Sequence, residues 1–169
     1  MENQLLHLRN DPIFTSELEQ FILTDRKLSL SGTHGISHWL NVRLIGEKIA
    51  DINGADKKVV TYFSLLHDSR RIREVGDFKH GLRASKSLQI ALANDNFLDL
   101  DNQQIEQLLY AIANHNITKA KSNDITIQTC WDSDRLDLWR VLTSPNPKFL
   151  YTEFGKSETM LKFSKNLNL

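Results

Sequence analysis

Three histidines and an aspartate fall where the hydrophobic pattern calls for core residues. His38, Val42, Ile45, Ile49 and Ile52 step by four, three, four and three, so His38 opens the inward stripe of a helix. Val60, Ser64 and His67 repeat the pattern, as do Leu108, Ile112 and His115, and Asp134 interrupts the apolar face of Ile127, Cys130 and Leu138. An uncompensated buried carboxylate costs several kcal/mol, against a net stability of about 5–15 kcal/mol for a whole domain, so Asp134 needs a partner. Taken singly, a histidine on an apolar face reads as a hydrogen-bonded core residue. Four such groups on four helices would each need a separate partner, whereas one shared cation satisfies them together. Asp68 follows His67 and lies about 100° around the helix from it, close enough to reach the same ion. Imidazole and carboxylate ligands without thiolate suit Mn, Fe, Co, Ni or Zn, or Mg with more waters. Water beside such an ion loses its proton near neutral pH and becomes a nucleophile.

The elements that must position these groups are helices. Apolar residues recur at three and four rather than two, with seven Gly and three Pro in 169 residues, and no strand is evident. One helix is expected after Pro12, through Leu18, Phe21 and Ile22, to near Lys27; Ser29 to Ser37 is a loop. Others are expected over Trp39 to Ile52, closed by Asn53 and Gly54, over Asp56 to His67, and over His80 to Ala93. Asp101 caps the next, which ends near His115 and Asn116. Asp124 to Val141 follows, broken by the Ser144 to Pro147 run, and a short helix occupies the tail from about Ser157. The expectation is an all-α, single-domain bundle of about six or seven helices over residues 1–169.

Composition narrows the function classes. Twenty-one Lys plus Arg balance twenty-one Asp plus Glu, leaving no global basic field for a nucleic-acid backbone or an anionic membrane. The lone Cys130 excludes an internal disulfide and Cys-rich zinc modules, which fits a reducing cytoplasm. The first fifteen residues lack the pattern of a secretory signal, and no apolar run approaches the roughly 18 residues of a membrane span. Neither GxxxxGK, GxGxxG, HExxH nor GxSxG occurs.

The order His38, then His67-Asp68, then Asp134 resembles the His-Asp (HD) domain superfamily of metal-dependent phosphohydrolases, an all-helical fold. The neighbours Leu65-Leu66-His67-Asp68-Ser69-Arg70-Arg71 and Trp131-Asp132-Ser133-Asp134-Arg135-Leu136-Asp137 are similar to its motifs, over about residues 30–142. Ser31 to Trp39 resembles a group of small bacterial HD-domain proteins. The chain departs from many relatives in reading Asp132-Ser133-Asp134 for Asp-Ala-Asp. The resemblance implies one ion on His38, His67, Asp68 and Asp134. His80 and His115 fall in the order that binuclear members use for a second ion, with Asp68 as the bridge.

The expected activity is hydrolysis of a phosphoester of a small molecule, a nucleotide or another phosphomonoester. Asp68 orients or deprotonates the water, and His80 or His115, if not itself bound to metal, protonates the leaving group. Arg70, Arg71, Lys79, Arg83 and Arg135 lie near the ligands in sequence and offer forked donors or charge to phosphate, with Arg71 and Arg83 foremost. His34 is expected to face substrate or support His38; His7 is expected at the surface. Trp39, Trp131 and Trp139 read as core, with Trp131 near the pocket. Two other readings use the same residues. One is a di-iron oxygenase and the other a non-catalytic nucleotide-sensing module with a structural metal.

Overall fold

Short polar side chains set where the helices begin. In the computed structural model, which describes residues 2–118 and 120–168, Thr15, Asp56, Asp101, Asp124 and Ser157 each accept a hydrogen bond from the backbone of the helix they precede. Asp101 and Gln104 complete a reciprocal capping box. The helices are α1 (Glu2–Arg9), α2 (Ser16–Leu23), α3 (Ile36–Asn53), α4 (Lys57–Leu66), α5 (His80–Asn94), α6 (Asn102–Asn114), α7 (Ile125–Leu136) and α8 (Glu158–Asn166). Two 3₁₀ turns, Asp137–Val141 and Pro147–Phe149, lie between α7 and α8. No strand occurs among the described residues. None of the helices is long and apolar enough to cross a membrane.

The all-α expectation holds, with differences at the margins. Helix α1 was not expected. Pro12 does not open a helix, because Thr15 caps α2 four residues after the turn in which Asp11 accepts from the Ile13 N–H. α2 stops at Leu23, and Asp25 turns the chain in the left-handed region at φ 61°. α3 starts at Ile36 and ends on Gly54 at φ 76°, a conformation that suits glycine. Its inward stripe stays covered as far as Ile49, but Ile52 is exposed. The helix expected to reach Val141 tightens into a 3₁₀ turn at Asp137 and ends on Leu142 at φ 57°.

α3 packs against α4 and α7, α4 against α6, and α5 runs along α6. The main core, including Trp39, Val60, Phe63, Leu66, Leu108, Ile112, Cys130 and Trp131, fills the space between them. Burying each aliphatic side chain of this kind contributes about 1.5–3 kcal/mol. A smaller cluster of Ile45, Ile49, Leu136, Leu150 and Met160 seats α8 on α3 and α7. Trp39 and Trp131 are core, as expected; Trp139 is half-buried and donates Nε1–H to Ser164. The side chain of His7 lies outside what is described.

Candidate metal centre

The site forms where the ends of five helices and one 3₁₀ turn meet. His38 lies in the first turn of α3, His67 and Asp68 follow the last residue of α4, and His80 begins α5. His115 follows α6, and Asp134 sits in the last turn of α7. The six side chains singled out as ligands converge although they come from residues 38 to 134. Five are buried, and Asp134, 20% exposed, opens the group to solvent.

The donors decide whether a cation fits. The His67 Nδ1–H donates to the carbonyls of Phe63 and Ser64 at 3.1 and 3.2 Å, and the His115 Nδ1–H to the Ile112 carbonyl at 2.8 Å. His80 Nδ1–H donates to the Asp77 carbonyl, and His38 Nδ1–H to Asp137 Oδ2 at 2.7 Å. A carbonyl only accepts, so the proton of each neutral ring is fixed on Nδ1 and Nε2 keeps its lone pair. Those lone pairs face one another, His38 with His67 at 3.0 Å and His80 with His115 at 2.8 Å. Carboxylate oxygens complete the crowd. Asp68 Oδ2 is 3.6 and 3.5 Å from Nε2 of His38 and His67, while Oδ1 is 3.1 and 3.6 Å from those of His80 and His115. Asp134 Oδ1 lies 3.4 Å from His38 and 3.7 Å from His67. A buried cluster of acceptors with so few protons among them calls for positive charge, and these groups can hold a metal ion.

Protonation follows the same logic. Burial pushes His67 down to about 3, the pull of Asp68 and Asp134 notwithstanding. Burial also opposes charge on His38, but the carboxylates of Asp134 and Asp137 outweigh it and raise that ring above its ordinary value. Burial alone would raise both aspartates. The histidines around Asp68 and Asp134 instead hold them well below the usual carboxylate range. A proton on His38 thus partly substitutes for a cation.

Supporting residues that sequence reasoning missed sit just behind the ligands. Asp137 anchors His38 and is itself held by Asn41 and Asn168, both donating to Oδ1 at 2.9 Å, and by Arg140. The available signal was its spacing of three from Asp134 on one helical face. Asp77 and Glu74 belong to an irregular segment where periodicity says nothing. Asp132, within the expected motif, faces away: it accepts from the N–H groups of Tyr151 and Thr152 and from the Thr152 hydroxyl, all at 2.8 Å.

A cavity of about 360 Å³ opens onto the centre, walled by Asp68, His80, His115 and Asp134 with His34, Arg71, Glu74 and Arg140. Two of the residues expected to contact substrate, Arg71 and His34, therefore line this cavity. Arg71 donates Nε–H to Asp68 Oδ1 at 3.0 Å, and His34 pairs through Nδ1 with Glu74 at 2.5 Å. Burial pushes His34 below its ordinary value. The other expected contacts lie elsewhere. Lys79 is an exposed residue preceding α5. Arg83 is paired with Asp77 and donates to the Arg70 carbonyl, and Arg135 donates to the Phe149 carbonyl and stacks on Tyr151. Arg70 stacks on Phe21 and donates to its carbonyl. The three arginines have found protein partners away from the cavity and Lys79 faces solvent, which sequence proximity to a ligand cannot reveal.

Gly81 lets α5 approach α6 closely enough for His80 to meet His115. A Cβ there would stand 2.5 Å from the Ile112 carbonyl oxygen, a backbone atom that cannot swing aside. Gly81→Ala is expected to push the helices apart, lowering Tm by several degrees and weakening metal binding by about tenfold. Thermal melts with and without Mn check this, and an unchanged pair of melting temperatures would contradict it.

Compared with protein-family models, curated proteins and solved structures, the chain finds no match in any of the three.

Proposed function

We propose that this chain is a metal-dependent phosphohydrolase of the His-Asp type, cleaving a phosphoester of a small molecule, a nucleotide or another phosphomonoester. One observation carries the reading: the two oxygens of Asp68 are divided between two histidine pairs at the floor of a cavity that Arg71 and Arg140 also line. His38, His67, Asp68 and Asp134 would hold one divalent ion, and Asp68, His80 and His115 a second. Mn, Fe, Co, Ni, Zn and Mg all suit such ligands. An ion bound there supplies charge for the phosphate oxygens and acidifies a water near neutral pH. The remaining roles fall to the chain itself. Arg71 and Arg140, each tied to the protein through part of a five-donor fork, have N–H groups to offer phosphate. Asp68 orients the water. His80 and His115 are committed to Asp68, so the proton relay falls to His34, whose Nδ1 is held by Glu74 and whose Nε2 lone pair takes the proton that the attacking water loses and passes it to the leaving oxygen. The single buried thiol suits a reducing cytoplasm.

The test is a screen of metal-reconstituted protein against nucleotides, sugar phosphates and diesters, with elemental analysis. Phosphate release that depends on Mn or another transition metal and stops with chelator is the expected result. Two irons per chain with oxygen consumption and every ester intact would replace the hydrolase with an oxygenase. Metal without any turnover would favour a sensing module.

A further inference from the structure

The cavity wall joins three aliphatic side chains, Val75, Leu138 and Val141, to its charged and polar ones. Among the described residues the three most exposed large apolar side chains are Leu142 at 97%, Phe78 at 86% and Val75 at 85%. All three belong to the segments 69–79 and 137–142, which supply Arg71, Glu74, Val75, Gly76, Leu138, Arg140 and Val141 to the cavity wall. Scattered exposed apolar residues need no explanation, but exposed Val75 and Val141 lie on the wall of one cavity together with Leu138. The side chains of Val75, Leu138 and Val141 offer no hydrogen bond to a sugar or a base. The charged groups, Arg71 on Asp68 and Arg140 on Asp137, lie deeper and are largely buried.

We propose that the alcohol portion of the substrate is a hydrocarbon, so that the centre takes an amphiphilic phosphomonoester with its phosphate on the floor and its chain against Val75, Leu138 and Val141. This rests on the phosphohydrolase reading and names its substrate class. Charge complementarity sets the orientation, because the anionic end matches the guanidinium groups and the uncharged end matches the aliphatic wall. Each methylene moved from water to this wall tightens binding by about three- to fourfold.

The experiment measures the dissociation constants of inert n-alkyl phosphonates, two to eight carbons long, on Mn-loaded protein by calorimetry, together with kcat/KM for the matching alkyl phosphates below their micellar concentrations. Affinity rising about threefold per carbon, with a slope flattened by Val75→Ser and by Val141→Ser, is the expected result. A flat phosphonate series alongside good turnover of nucleotides overturns the inference and leaves the hydrolase standing. If no ester is cleaved the hydrolase reading falls, and the slope of the phosphonate series still decides what the wall prefers. Light scattering that shows a dimer dissociated by Val75→Ser overturns the inference in favour of a second copy on this wall.

Discussion

Asp68→Asn is expected to abolish phosphate release and to weaken metal binding by more than the 10–100-fold that follows loss of a residue merely orienting a ligand. Among the described residues Asp68 is the only carboxylate that approaches His38, His67, His80 and His115, with Oδ2 towards the first two and Oδ1 towards the others. The amide keeps the shape but removes the charge and one acceptor. Its NH₂ can donate to Nε2 lone pairs that otherwise face other acceptors, so the metal-free chain should melt no lower than the wild type. The informative quantity is therefore the difference between melts with and without metal. It should be several degrees for the wild type and close to zero for the variant. Full metal content and full activity in Asp68→Asn would remove Asp68 from the centre.

The metal-free protein is expected to be acid-labile from about pH 6.5 downward. His67 has a folded pKa of about 3, below its unfolded value near 6.5, so between these values the unfolded chain takes a proton that the folded one refuses. Stability then falls by more than 1 kcal/mol for each pH unit, on the order of the whole net stability across the window. His38 is raised and works in the other direction: its contribution is complete below the unfolded value and disappears as pH rises through the folded one. It thus adds nothing further to offset the loss in acid. Asp68 and Asp134, held low, contribute above about pH 4 and lose that contribution as pH falls through their folded values. Metal competes with the proton on His38, so affinity should weaken as pH drops. Urea unfolding from pH 7.5 to 4.5, with and without Mn, measures both effects; a metal-free stability constant over that range would contradict the burial of a neutral His67.

The clustered histidines were legible in the sequence because a polar residue on an apolar stripe leaves a mark. His38 with Val42 and Ile45, His67 with Val60 and Ser64, and His115 with Leu108 and Ile112 all lie on buried faces. Residues that act from irregular backbone leave none. Glu74 and Asp77 sit between α4 and α5, where nothing fixes which way a side chain turns. Lys79, Arg83 and Arg135 show the converse, since nearness along the chain placed them by the ligands but ion pairs, carbonyls and exposure took them elsewhere. Helix α1 was hidden because its charged and amide residues obscure a short inward face on which Leu8 is buried. Asp132 and Asp134 share a segment but point to opposite sides, one to the chain after Leu150 and the other to the histidines.

The grip of Asn168 on Asp137 makes the alignment of the first histidine depend on the segment that follows α8. Replacing this asparagine alone would spare all six clustered side chains and still let the imidazole of His38 drift.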